Sequence, residues 1–447
     1  MTTTYDPSDA RYLDDADLRA EMTRVFDICQ GCRLCFNLCP AFPTLFDVLD
    51  TLDGDASRMS PGQQDKVVDE CYQCKLCYLK CPYVPPHEWD LDFPRMIARA
   101  YAVRNAERSG RVKERLADQF LGRTDLLGMA STAAAPLVNR LTSKPGSFPR
   151  QVMERVVGIA AQRLLPPYAR QRFSTWFARR TAAIIEDRRR AVAVFPTCFV
   201  EYMDPSVGID LVKVYERNSF SCELPKGVRC CGAPWLHAGD ISRLQSAARH
   251  NVSVLASEVR AGKDVVVPQP TCAYVMRKDY PRYLAGSASG DRDGAQIAAD
   301  AELVAEHTFD ASEYLLREHR SSGRPLDTTF GPAAPEKVTY HLSCHTRAQS
   351  MGYPSRDLLA LMGTKVEMVQ GCAGIDGTWG YRAENYELAK KVARKLCRSI
   401  DASDGDVLCG DCHLANGALL EETGRAPVHP LQLLARAYEI PEEQNPS

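Results

Sequence analysis

Apolar residues recur at helical spacing before residue 191 and in short strand-length runs after it. TLFDVLDTLDGDASRMSPGQQDKVVDE, 44–70, reads as an amphipathic helix, a Gly/Pro break and a second helix. FPRMIARAYAVRNAERSGRVKERLADQFL, from Phe93, keeps its apolar positions at helical spacing, and LLGMASTAAAPLVNRL and VMERVVGIAAQRLL follow across the loop signal LTSKPGSFPR. From 191 the pattern changes. AVAVFP is a buried-strand run leading into Cys198, PSVGIDLVKVYERN an amphipathic helix, CCGAP a turn, 241–261 a helix and DVVVPQP another strand. The order then recurs. VTYHLSC is a strand ending at Cys344, PSRDLLALMG a helix, KVEMVQGCAG a strand, 383–400 a helix, and GDVLCGDC a strand running into a cysteine pair.

Strand–helix alternation of this kind predicts parallel α/β units. The landmarks repeat at nearly one offset: 146 residues from Cys198 to Cys344, 141 from Cys231 to Cys372, 140 from Cys272 to Cys412. The pattern predicts an internal duplication. The expected fold class is a multidomain α+β and α/β chain: an α-helical module at 1–90, a basic helical segment at 91–190, and cysteine-rich α/β domains at 191–335 and 336–447.

The chemistry lies in the cysteines. CQGCRLCFNLCP at 29–40 and CYQCKLCYLKCP at 71–82 both read C-x2-C-x2-C-x3-C-P. That spacing holds paired [4Fe–4S] clusters in bacterial two-cluster ferredoxins, where the fourth cysteine of each quartet ligates the other cluster. One cluster is therefore expected on Cys29, Cys32, Cys35 and Cys81, the other on Cys71, Cys74, Cys77 and Cys39. Pro40 and Pro82 end each coil, since proline cannot continue a helix there. A pair of zinc sites is the competing reading, but zinc sites use paired C-x2-C motifs, not two quartets in one rhythm.

Beyond the quartets, the first α/β copy offers Cys198, Cys230, Cys231 and Cys272, and the second Cys344, Cys372, Cys409 and Cys412. They fall at the C-terminal ends of expected strands or the turns after them, where open α/β sheets bind ligands. Over about 20–435 the chain resembles the iron–sulfur oxidoreductases that join a two-cluster ferredoxin module to two Cys-Cys-Gly domains. That family includes heterodisulfide reductase B and D subunits, the anaerobic glycerol-3-phosphate dehydrogenase C subunit, and glycolate and lactate oxidation subunits. Its full motif carries five cysteines per site and can hold a noncubane cluster. Here Gln269 stands where one cysteine belongs in the first copy, and Gly371 where one belongs in the second. Each site keeps four, so a four-thiolate cubane and a four-cysteine zinc site are the live alternatives, and the resemblance favours one or two further iron–sulfur clusters. His237, His341, His345 and His413 lie near these cysteines in sequence and are expected to support ligands rather than serve as them. Cys222 and Cys397 read as small buried hydrophobes, and Asp376 and Trp379 as a turn with a packed aromatic.

Charge adds one feature. The net charge is −2, yet 91–190 carries 20 Lys and Arg against 8 Asp and Glu, a local +12. Two uses are open: covering an acidic neighbour, or lying as an in-plane anchor on an anionic membrane. The N-terminus is polar and acidic, unlike a signal peptide, and no apolar run is long enough to span a bilayer. The expected location is the cytoplasm, with the inner face of the cell membrane as the peripheral alternative. Neither GxGxxG nor a P-loop occurs, so electrons enter or leave through a partner. The resemblance implies an electron-transfer oxidoreductase subunit working between a flavoprotein dehydrogenase or other redox partner and an acceptor such as quinone or disulfide. No nucleic-acid partner is implied. Two other readings accompany it: a disulfide reductase, and an accessory electron-delivery protein for a peroxide-detoxifying enzyme such as a rubrerythrin. Resemblances around CQGCRLCFNLCPAFPTLFD and WGYRAENYELA suggest the latter.

Overall fold

The computed structural model describes residues 4–107, 112–181, 191–286, 292–321, 323–375 and 377–442. The first of these stretches is built of helices joined by turns and loops. Helices Asp15–Cys32, Ala41–Asp50, Pro61–Asp69 and Phe93–Glu107 turn their apolar faces onto one core of Met22, Phe26, Phe42, Phe46, Val67 and Phe93. The start signals are ordinary chemistry: Asp14 caps the first helix, and Ser60 with Gln63 makes a capping box on Pro61–Asp69. Arg99, fully buried, ties the chain's beginning to this core through Tyr12 O at 2.8 Å and Asp17 at 2.7 Å.

The two expected copies appear as two parallel sheets. Strands β1 (Ala191–Val194), β2 (Ser221–Glu223), β3 (Asp264–Val267) and β4 (Thr308–Asp310) lie in the order β2-β1-β3-β4. Strands β5 (Lys337–Leu342), β6 (Lys365–Gln370) and β7 (Val407–Gly410) lie in the order β6-β5-β7. The first strand of each copy is therefore central, flanked by the second and third, and all pairings are parallel. Among the described residues β4 has no counterpart in the second sheet. The helix Pro205–Arg217 carries Leu211 and Val212 into a core that also holds Val192, Val338, Tyr340 and Leu434, so the two copies share one apolar interior.

The segment between module and sheets is helical, as its periodicity requires, but shorter-pieced. Gly158, at φ +69°, ends the helix Phe148–Val157, and Pro136 opens Ala135–Thr142. Trp176 and Phe177, partly buried, pack against the shared core. No helix among the described residues is long and apolar enough to cross a membrane.

Candidate iron–sulfur centres

The two cysteine coils repeat in backbone as well as sequence. Arg33 and Lys75, each following the second cysteine of its quartet, both adopt left-handed conformations, at φ 51° and 62°. Such non-glycine outliers persist where surrounding structure enforces them. Here they turn the chain so that successive cysteines wrap one cavity. One cavity is lined by Cys29, Cys32, Cys35 and Cys81, with Phe42, Phe46 and Leu91 around them. The other is lined by Cys39, Cys71, Cys74 and Cys77, with Tyr72 and Phe93. Each quartet thus lends its fourth cysteine to the other's cavity.

As free thiols several of these cysteines, Cys29, Cys35, Cys39 and Cys77 among them, resist ionisation. Burial, then the neighbouring sulfurs Cys35 and Cys81, pushes Cys29 up. Cys35 is pushed up to about 11, first by burial. Cys39 and Cys77 are raised far above the ordinary thiol range by burial and by the other sulfurs of their cavity. A cationic core reverses this penalty, since a coordinated thiol is deprotonated outright. Four soft donors spread around a cavity fit an iron–sulfur cluster. Among the described residues no group of three or more His, Cys, Asp or Glu side chains is arranged around a single metal ion.

The first cysteine-rich site lies at the C-terminal ends of β1, β2 and β3. Cys198 sits on helix Thr197–Tyr202, Cys230 and Cys231 in the turn after β2, and Cys272 on helix Pro270–Tyr274. Cys231 Sγ lies 3.3 Å from Cys272 Sγ, and Cys230 interacts with both Cys198 and Cys231. The four motif cysteines of this copy converge. Gly232, at φ +88°, makes the sharp exit, and a Cβ there would meet Leu244 at 3.0 Å. Thr197, a β-branched residue at φ 59°, holds a strained turn just before Cys198. Thiol donation from Cys198 and then Cys231 pulls Cys230 down, while the same contacts push its two neighbours up. Sequence reasoning missed the roof of this site. Helix Thr124–Ala133 of the basic segment places Asp125 Oδ2 2.8 Å from the Cys230 backbone N–H, which donates to it. Burial, then Cys230, raises the Asp125 carboxyl to about 6.

The second site is different. Cys344, Cys372 and Cys412 line one cavity after β5, β6 and β7, with Tyr72, His341 and His345. Cys409 does not join them. It lies within β7, packed in the shared core beside Tyr340, whereas Leu408 and Cys412 face the opposite cluster. Residues three apart on an extended chain point to opposite faces, so the C-x2-C spacing here separates its cysteines. A different cysteine approaches instead: Cys372 interacts with Cys344 and with Cys74 of the ferredoxin module. Cys74, Tyr72, Trp379, Cys39, Cys344 and Cys372 form one apolar cluster. Contact with Cys372 pulls Cys344 down and pushes Cys372 up, and burial pushes Cys412 to about 12.

The histidines near these cysteines fall as supports. His345 Nδ1 is 3.6 Å from Cys344 Sγ, His341 Nε2 is 3.1 Å from Gly371 O, and His413 Nδ1 is 2.8 Å from Gln269 Oε1. Burial depresses His237, His341 and His413 below the usual imidazole range. Trp379 packs 5.4 Å from Tyr72 and donates to Asp69 O at 2.9 Å, tying the second copy to the module. Cys222 and Cys397 are buried in core clusters. Asp376 lies outside the described residues.

Two outcomes are expected. Cys39→Ser should damage the cluster signal lost on substituting Cys71, and Cys81→Ser that lost on substituting Cys29, as read by EPR of the single variants; damage confined to each residue's own sequence quartet contradicts the arrangement. Cys412→Ala should lower the metal content of the purified protein while Cys409→Ala leaves it unchanged, as read by elemental analysis.

The comparisons with known proteins agree with this layout. The family profile "Citrate utilization protein B Fer4-like domain" matches residues 22–108, and "Cysteine-rich domain" matches 192–277 and 338–415. The C subunit of anaerobic glycerol-3-phosphate dehydrogenase from Escherichia coli (strain K12) is 30% identical over 352 residues, 78% of this chain and 82% of that protein. Lactate utilization protein A of Bacillus licheniformis is 26% identical over 240 residues, covering 52% of this chain and 91% of its own length. The B subunit of fumarate reductase (CoM/CoB) from Methanothermobacter marburgensis is 26% identical over 259 residues, 55% of this chain and 46% of that protein. With a Fer4-like domain ahead of two cysteine-rich domains, and this extent of similarity, the chain belongs to the family of the anaerobic glycerol-3-phosphate dehydrogenase C subunit.

Proposed function

We propose that the protein is an iron–sulfur electron-transfer subunit, linking a redox partner to an acceptor through two [4Fe–4S] clusters in the ferredoxin module and one or two further clusters in the cysteine-rich domains. The observation that carries the reading is the meeting of Cys74 with Cys372, which places a sulfur of the second module cavity against a sulfur of the second cysteine-rich site. Electron tunnelling falls steeply with distance, so a sulfur–sulfur junction favours this route. Clusters bound here supply one-electron steps; the chain's part is to hold the thiolates, exclude water and set the charge around them. Tyr72 and Trp379 fill the space beside the junction, and Asp125 roofs the first site.

Two of the relatives are named as subunits of larger enzymes, which supports a redox partner, here a flavoprotein dehydrogenase, since the chain has no nucleotide fingerprint of its own. A cleft of about 730 Å³ opens beside Cys71, lined by Arg104, His237, Trp379 and Arg382, and gives a small acceptor such as a quinone or disulfide an approach to the module. The basic segment serves two ends. Many of its arginines are spent inside the chain, as in Arg99 with Asp17, Arg104 with Asp65, Arg163 with Glu421 and Arg180 with Glu216. Helices Ala135–Thr142 and Phe148–Val157 nevertheless leave Leu137 62%, Phe148 76% and Val156 66% exposed, with Arg140, Lys144 and Arg155 also reaching solvent around them. Apolar side chains ringed by cations suit the interface of an anionic membrane, and support a peripheral location on the inner face of the cell membrane.

Anaerobic iron, zinc and sulfide analysis with Mössbauer spectroscopy tests the cluster reading. About eight irons are expected for the two cubanes, with further iron for the cysteine-rich sites; fewer than about six irons in fully reconstituted protein overturns it. Activity with quinone, disulfide and peroxide-linked acceptors then identifies the terminal step. Liposome flotation tests the membrane reading: salt-sensitive binding to anionic but not neutral vesicles is expected, weakened by Phe148→Ser with Val156→Ser, and no binding at low salt rejects it.

A further inference from the structure

Gln269 stands where the full family motif has a cysteine, and its side chain leaves its own domain. It follows β3 and caps helix Pro270–Tyr274, which carries Cys272 of the first site. Nearly fully buried, it reaches into the second copy, where Nε2 lies 3.5 Å from Cys412 Sγ. Oε1 accepts from the His413 backbone N–H at 3.2 Å and faces His413 Nδ1 at 2.8 Å. The backbone nitrogen can only donate, so the amide oxygen must point to it and the amide NH2 must point to the sulfur. The same logic puts the His413 proton on Nδ1. Its ring is pinned by stacking on Phe199, centroids 4.0 Å apart, and on His429 at 5.7 Å. Phe199 is the residue after Cys198. Two elements of the first site, the helices bearing Cys272 and Cys198, thus bear on Cys412 through Gln269 and His413.

We propose that Gln269 is a positioning residue that donates a hydrogen bond to the Cys412 thiolate, sets the reduction potential of the second cysteine-rich site, and couples that site to the first. An N–H donor to a ligand sulfur stabilises the more negative, reduced state of a cluster and so raises its potential. Replacing a ligand cysteine by this amide costs the first copy a thiolate and gives the second a donor from outside its own domain.

The inference rests on the second site holding an iron–sulfur cluster, and the experiment separates the two. Anaerobic redox titration of the holoprotein, followed by EPR, compares wild type with Gln269→Leu and Gln269→Glu. Leucine removes both functions of the amide; glutamate keeps an acceptor for His413 but sets oxygen against the sulfur. The expected result is a shift of the second-site signal to lower potential in both variants, larger for glutamate, with the two module clusters unmoved and the iron content retained. Unchanged second-site potential in both variants at full iron content overturns the proposal. If wild type shows no cluster signal beyond the two cubanes but holds zinc, the cluster reading fails and the positioning role is read from zinc release to a chelator: several-fold faster loss in Gln269→Leu upholds it, equal rates overturn it. Wild type with no metal beyond the cubane irons overturns both.

Discussion

Buried thiols brought into contact are the constraint on which the rest of this structure depends. A thiolate at Cys39 or Cys77 would sit in a low dielectric beside other sulfurs, and these two therefore hold their protons far more tightly than an exposed cysteine does. A cationic metal–sulfide core turns that cost into binding energy. The helices of the ferredoxin module, the left-handed turns at Arg33 and Lys75, and the strand ends of both sheets all act to bring sequence-distant sulfurs to shared cavities. Metal binding and folding should be strongly linked in such a chain.

Duplication explains the architecture, and divergence explains its use. Both copies set their first strand at the centre of a parallel sheet, and the cysteines that line each site lie beyond the strand ends. The first copy gathers its four cysteines under a roof from the basic segment. The second gathers three of its own and meets Cys74 of the module. One site is closed in by the basic segment and the other is joined to the ferredoxin module. The arrangement is asymmetric although the folds match.

What the sequence revealed follows the same physics. Short β-branched and aromatic runs such as AVAV and VTYHL, each leading into a turn, read as strands buried in parallel sheets, and β1 and β5 are. The quartet spacing carried the crossed arrangement of Cys39 and Cys81 because that spacing is local chemistry. Cys409 misled because C-x2-C brings cysteines together on a turn but parts them on a strand, and the end of β7 is decided by tertiary pairing with β5. β2 and β4, three residues each, are too short for periodicity to mark. Asp125 over the first site, Cys74 against Cys372 and Gln269 against Cys412 are contacts between distant segments, and nothing in the spacing of one segment encodes the partner of another. Gln269 was visible as a departure from the motif, but not its destination.

The central claim is that electrons pass between the ferredoxin module and the cysteine-rich domains through the Cys74–Cys372 junction. Pulsed and continuous-wave EPR of the partly reduced holoprotein tests it most directly. The account predicts strong magnetic interaction between the reduced module cluster bearing Cys74 and the second-site centre, lost in Cys372→Ala while the module signals persist. Two module clusters that show no interaction with any further paramagnetic centre, in wild type as in the variant, would contradict it.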